Sequence, residues 1–114
     1  MRYTWIMKRV CRSSKFIKWH KDLRDRRAVF KINTRIKRLA QGNPGDVKPV
    51  GEGISEMRID YDLGYRIYYI ERMVRDIGKE VIILLCGGDK TSQKSDIADA
   101  KKLARNLPEG LIED

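Results

Sequence analysis

The sequence predicts an α+β domain in the order β-α-α-β-β-β-α, with a four-stranded, antiparallel-rich sheet and three helices. Three observations predict it. From Asp25 to Gln41 apolar residues recur at the helical period, from Ser55 to Glu71 they alternate as in strands, and Val81 to Cys86 is an unbroken apolar run leading into a second helical period. The 114 residues have room for one core of ordinary size, so residues 1–114 are read as a single domain. Apolar residues are 41% and charged residues 36% of the chain, which lets that core form beneath a heavily charged surface.

Tyr3, Trp5, Ile6 and Val10 make residues 3–10 a first strand, and Ser13 or Ser14 can cap the helix carrying Phe16, Ile17, Trp19, His20 and Leu23. In the second helix Val29, Ile32, Ile36, Leu39 and Ala40 fall in one stripe, and Gly42 ends it. Asn43-Pro44-Gly45-Asp46 is a turn, and Lys48 to Gly53 reads as an irregular loop because of its Gly and Pro content. Met57, Ile59 and Tyr61 then share one strand face and Glu56, Arg58 and Asp60 the other. Asp62-Leu63-Gly64 turns the chain into a strand over Tyr65 to Glu71, and a further turn falls at Asp76-Ile77-Gly78-Lys79. Because Val81 to Cys86 does not alternate, it is expected to be a central strand covered on both faces. Ile97, Ala100, Ala104 and Leu107 define a last helix over Ser92 to Leu107, stopped by Pro108, and Glu109 to Asp114 reads as a loose tail.

The net charge of +9 is unevenly spread. Residues 1–50 hold 15 Lys and Arg against 3 Asp and Glu, whereas residues 51–114 hold 10 against 13. A cationic first half suits a polyanion such as nucleic acid or a ribonucleoprotein. On the second helix Arg24, Arg27, Lys31, Arg35 and Arg38 recur at spacings of 3, 4, 4 and 3, a continuous ridge beside the apolar stripe. They are read, with Lys48 in the following loop, as RNA- or ribosome-binding residues; the competing reading is a solvated face.

Several classes fall away. No apolar run approaches the roughly 20 residues of a membrane span, and the N-terminus is too interrupted by charge for a signal peptide, so a cytoplasmic location is expected. Cys11 and Cys86 read as buried thiols, and one histidine with no Cys-x-x-Cys offers no zinc ligand set; neither a metal nor another cofactor is expected. Gly87-Gly88-Asp89-Lys90-Thr91-Ser92 lacks the spacing of a nucleotide-binding P-loop, which leaves at most one phosphate bound at a helix start beside Lys90. His20 reads as a packing or surface residue.

Arg58 and Arg66 stand out. On adjacent antiparallel strands in register they come side by side, with Tyr68 next to them, and two adjacent arginines call for an anion. Cleavage of a phosphodiester through the neighbouring 2′-hydroxyl needs charge stabilisation on the phosphate, removal of one proton and donation of another. Arg, Lys and Tyr can supply all three. A surface salt-bridge cluster with Glu56 and Glu71 is the alternative.

The blocks Gly42 to Gly53, Glu56-Met57-Arg58-Ile59, Gly64-Tyr65-Arg66-Ile67-Tyr68-Tyr69 and Leu84 to Lys90, in this order, closely resemble the RelE/ParE superfamily of toxins, in the branch of HigB-like addiction-module killer proteins. The match runs from about Phe16 to Leu107. It implies a compact sheet backed by the first two helices, a cognate antitoxin, commonly of helix-turn-helix type, and mRNA cleavage at the ribosome. It also implies phosphate stabilisation by Arg58 and Arg66 and proton transfer by Lys90, with Tyr68 as a helper. Two departures accompany it: Asp96 and Ile97 stand where RelE-type ribonucleases carry a tyrosine near the start of the last helix, and the hairpin reads Tyr61-Asp62-Leu63-Gly64-Tyr65 in place of Tyr-Gly-Pro-Gly-Tyr. Two rival functions of the same fold are gyrase poisoning in the ParE manner and a non-catalytic basic binding module.

Overall fold

A computed structural model describes residues 7–74 and 79–107. The architecture is α+β: one mixed sheet with helices on both faces. Its strands are β1 (Arg9–Arg12), β2 (Val47–Gly51), β3 (Ile54–Ile59), β4 (Tyr65–Val74) and β5 (Lys79–Gly88), in the spatial order β1-β5-β4-β3-β2. β1 runs parallel to β5, and the other three pairings are antiparallel. The helices are α1 (Ser14–Asp22), α2 (Arg26–Ala40) and α3 (Gln93–Arg105), the last preceded by a single 3₁₀ turn, Lys90–Ser92.

The sheet has five strands, not the four expected. The segment read as an irregular loop supplies the fifth, with Lys48 opposite Glu56 and Pro49 opposite Ser55. Pro49 is tolerated because β2 is an edge strand with one side unpaired. The glycines that suggested irregularity instead make the reversal into β3: Gly51, Glu52 and Gly53 all have positive φ, a conformation cheap for glycine. β4 continues to Val74, three residues beyond the expected end. The first strand occupies Arg9–Arg12, while Tyr3, Trp5 and Ile6, most of the turn at Asp76-Ile77-Gly78-Lys79, Pro108 and the acidic tail lie outside the described residues.

Strand periodicity divides the core in two. On one face Ile82 and Leu84 of β5, Ile67 and Tyr69 of β4 and Met57 and Ile59 of β3 pack against Phe16 of α1 and Ala28, Ile32, Ile36 and Leu39 of α2. On the other, Val81, Ile83, Leu85, Tyr68, Ile70 and Ile54 pack against Ala100 and Ala104 of α3. β5 is thus covered on both sides, as its unbroken apolar run requires. Cys11 and Cys86 are both buried and unbridged. Among the described residues no helix is long and apolar enough to cross a membrane.

Side chains at the helix starts hold the layers in place. Ser13 caps α1 by accepting from the Phe16 amide at 3.0 Å. Asp25 caps α2 by accepting from the amides of Arg27 at 2.9 Å and Ala28 at 3.3 Å, and its second oxygen accepts from the Tyr61 hydroxyl at 3.0 Å, tying the helix start to the β3–β4 turn.

The pair Gly87-Gly88 is explained by close approach on opposite faces. A Cβ on Gly87 would collide with the Trp19 ring of α1, and one on Gly88 would collide with the Asp96 carboxylate and the Ser92 hydroxyl. Both glycines therefore serve packing. The 3₁₀ turn that follows is closed by its own carboxylate: Asp89 accepts from the Thr91 hydroxyl at 2.5 Å and the Thr91 amide at 2.8 Å, and these bonds hold its carboxyl below the usual range. An incoming phosphate would have to displace Asp89, which removes the phosphate subsite expected at this helix start.

Candidate active site

Two cross-strand rows lie on the sheet face that α3 covers. The first runs Lys48 (β2), Glu56 (β3), Tyr68 (β4), Cys86 (β5); the second runs Arg58 (β3), Arg66 (β4), Gly88 (β5). Arg58 and Arg66 are direct register partners, as the alternation of Ser55 to Glu71 predicts. Lys90 joins them at the hairpin end. Its aliphatic chain lies over Gly64, whose carbonyl accepts from Arg66 Nη1 at 3.1 Å. Lys48 belongs to this cluster and not to the ridge on α2, because its ammonium faces Glu56 Oε1 at 3.9 Å.

The four cations are held differently. Arg58 donates through Nη2 and Nε to Asp46 Oδ1, at 2.7 and 3.2 Å, and keeps 38% of its side chain exposed. Arg66 is 11% exposed, anchored by the Gly64 carbonyl and facing Glu56 Oε1 at 3.8 Å. Lys90 is exposed and has no ion-pair partner among the described residues.

Beneath them lies Glu56, fully buried, a residue that sequence reasoning placed on an outward face. Its Oε2 accepts from the Tyr68 hydroxyl at 3.0 Å and from Gln93 Nε2 at 2.8 Å. Its Oε1 and Arg66 Nε, both buried, make no hydrogen bond among the described residues. A buried carboxylate of this kind is tolerated only with cations beside it, and Arg66 and Lys48 provide them. The pattern of residues 55–61 contains the placement of Glu56, since it shares a face with Arg58. The cover supplied by Gln93 is a tertiary fact with no local signal.

Tyr68 is likewise buried, and burial followed by its bond to Glu56 raises its phenol far above the ordinary value. Its hydroxyl is enclosed and committed to Glu56. This geometry does not favour the helper role expected of Tyr68; what the hydroxyl does in the structure is hold the Glu56 carboxylate. Burial, with the nearby Asp96 charge, pushes the Cys86 thiol up to about 12, so it stays protonated and inert. Asp96 accepts from Ser92 Oγ at 2.5 Å, and burial raises its carboxyl above the usual range.

The α2 residues lie on the opposite layer. Arg27, Lys31 and Arg38 are exposed along the helix, with Lys31 Nζ 5.5 Å from the Tyr61 ring centre; Arg24, expected on the same helix, is exposed but precedes it, because the Asp25 cap starts the helix at Arg26. Arg35 is different: its guanidinium donates to the carbonyls of Arg58 at 2.6 Å, Pro44 at 3.0 Å and Asp46 at 3.3 Å. It fastens the α2–β2 turn to β3, which removes it from the docking ridge. His20 bonds Asn33 at 2.8 Å and stacks on Phe16, the packing role expected of it.

Fold and site together define an α+β protein with a cationic cluster on the α3 side of a mixed five-stranded sheet. An uncharacterized protein of Haemophilus influenzae is 49% identical to it over 92 residues, covering 81% of this chain and 88% of that one. The chain belongs to the same family as that protein. No family model and no solved structure matches it.

Proposed function

We propose that the protein is the toxin of a toxin–antitoxin pair, of RelE-like fold and cytoplasmic, and that it cleaves mRNA at the ribosome. The observation that carries this reading is the cross-strand pair Arg58 and Arg66, with Lys90 at the same end of the sheet. In the proposed reaction the 2′-oxygen attacks phosphorus and the bond to the 5′-oxygen breaks, leaving a 2′,3′-cyclic phosphate and a 5′-hydroxyl. Arg66 offers a preset guanidinium to the phosphoryl oxygens, and Arg58 reaches them by exchanging Asp46 for phosphate. Lys90 donates the proton to the leaving oxygen, while the Asp96 carboxylate on the same face is available to accept the proton of the attacking hydroxyl. These side chains meet the charge and proton needs of the step without a cofactor. The fifth strand is a departure from the expected sheet, but it adds Lys48 to the cationic face.

The antitoxin is proposed on the resemblance alone. The test is primer extension on cellular mRNA after brief induction. Codon-phased cuts that disappear in Arg58→Ala support the reading. Growth arrest with intact mRNA and failed supercoiling would replace it with gyrase poisoning.

A further inference from the structure

Phe30 projects from α2 with 72% of its surface exposed, although the buried stripe of that helix is already complete with Ala28, Ile32, Ile36 and Leu39. Folding therefore does not account for it. The ring borders a surface cavity of about 300 Å³ whose wall also includes Lys31, Thr34, Arg35, Arg38, Ile59 and Asp60. Ile59 is only 3% exposed, so Phe30 is the one substantial apolar surface offered there. Thr34 Oγ1 bonds back to the Phe30 carbonyl at 2.9 Å and Arg35 is held by backbone carbonyls, which leaves Lys31 and Arg38 as the cations at the rim.

This composition selects among occupants. A partner helix would need a row of apolar pockets at i, i+3 or i+4 and i+7 spacing, and the cavity has one ring. A single exposed aromatic flanked by cations is the arrangement by which an unpaired base is stacked while its neighbouring phosphates are held. Lys31 and Arg38 both line the cavity and are seven residues apart, about 10.5 Å along the helix axis, a span that one nucleotide and its flanking phosphates can bridge. The cavity is at the small end of ligand clefts, which again suits one nucleotide.

We propose that this cavity is a stacking site for one unpaired nucleotide of single-stranded RNA, the base lying on Phe30 and the flanking phosphates on Lys31 and Arg38. The proposal rests on the reading of the chain as an RNA-acting protein and gives the α2 ridge a recognition role separate from the cationic cluster on the opposite face.

The test is binding of a fluorescent, unstructured 2′-O-methyl RNA decamer to the purified full chain. Without a 2′-hydroxyl this probe cannot be cut, so binding is read whether or not the protein is a nuclease. Phe30→Ala and Phe30→Leu are expected to weaken binding about 5- to 100-fold, and Phe30→Trp to match or exceed the wild type. Because the side chain is exposed, the thermal melts of all three variants should overlay that of the wild type. No measurable binding by the wild type, a Phe30→Ala affinity within about twofold, or a leucine as good as phenylalanine would each overturn the proposal. So would equal affinity for the duplexed probe, which points to phosphate contact alone, or RNA binding unchanged by Phe30→Ala while neutralisation by the antitoxin is lost. A protein that leaves mRNA intact yet binds the decamer through Phe30 keeps this inference and loses the nuclease reading; cleavage without Phe30 dependence does the reverse.

Discussion

Arg58 and Arg66 face each other across the β3–β4 ladder, yet their guanidinium groups turn to different carboxylates, Arg58 to Asp46 at 2.7 Å and Arg66 to Glu56 at 3.8 Å. Like charges directly opposite in a sheet destabilise it, and these two carboxylates offset that cost. The partners differ in burial: Asp46 is 55% exposed and Glu56 is enclosed. The two arginines should therefore separate when mutated.

Arg58→Ala, Arg66→Ala and Lys90→Ala are each expected to reduce mRNA cleavage about 10²-fold or more. Their stabilities should diverge. Arg58 is in a surface pair, worth less than about 1 kcal/mol. Arg66→Ala leaves buried Glu56 with Lys48 as the one cation near its Oε1 among the described residues, a loss of about 3–5 kcal/mol. Urea melts beside primer extension check both; equal melts for Arg58→Ala and Arg66→Ala would mean that the Glu56 charge does not depend on Arg66.

Tyr68→Phe removes a hydroxyl whose hydrogen bond, among the described residues, goes to Glu56. Because Gln93 still donates to the same carboxylate, the expected cost is about 1–3 kcal/mol of stability. Cleavage below the melting range should fall by less than about tenfold, or ~1.4 kcal/mol, since in the proposed reaction no proton passes through this phenol. A larger loss in a fully folded variant would return Tyr68 to the chemistry.

These contrasts mark what a linear reading captures. The α2 boundaries, the facing of Arg58 and Arg66 and the double burial of β5 all follow from local periodicity, which is a property of consecutive residues. β2 was missed because Pro49 and the glycines around it are neutral as to strand until a partner such as Glu56 is placed opposite. The commitment of Arg35 to three carbonyls, the enclosure of Tyr68 and the burial of Glu56 depend on residues 9 to 37 positions away, where sequence spacing carries no signal. The same spacing that made Arg35 a member of the α2 ridge could not register that its guanidinium was already occupied.

Gly88→Ala introduces a methyl group where the Asp96 carboxylate already lies, and overpacking of this kind costs about 1–3 kcal/mol. Adding Asp96→Ala should recover part of that loss, giving a favourable coupling in a double-mutant cycle followed by urea denaturation. Strict additivity would show that the two side chains do not share the space. Gly87→Ala should be destabilising through Trp19 and independent of Asp96.

Two carboxylates give opposite pH signatures. Burial disfavours the charged Asp25, but bonds from the Ala28 amide, the Tyr61 hydroxyl and the Arg27 amide outweigh it and lower its carboxyl below the usual range. Its contribution is present above the unfolded value of about 3.9 and is lost as pH falls through the lower folded value. The melting temperature of Asp25→Asn should therefore lie below wild type at pH 6, with the gap closing in acid. Asp96 is raised by burial, so its contribution is present below about pH 3.9 and is lost as pH rises through the folded value. Asp96→Asn should gain on wild type as pH rises toward neutrality, and parallel curves for wild type and variant would contradict this assignment.

The α2 cations separate into exposed ones, proposed to dock, and one bonded within the fold. Arg27 and Arg38 are exposed on α2, so Arg27→Glu with Arg38→Glu should leave the melting temperature near wild type while weakening ribosome co-sedimentation and flattening its dependence on salt. Arg35→Ala should do the reverse. It removes charged hydrogen bonds to the carbonyls of Arg58, Pro44 and Asp46, each worth about 1.5–3 kcal/mol, and frees the turn that sets β2 against β3. Its expected signature is a lowered melting temperature, with the salt slope of ribosome binding unchanged at temperatures where the variant is folded. If Arg35→Ala instead reduces that slope by as much as one of the exposed arginines, the guanidinium leaves its carbonyls for phosphate when the ribosome binds. Retained co-sedimentation in the double Glu variant would return Arg27 and Arg38 to the solvent.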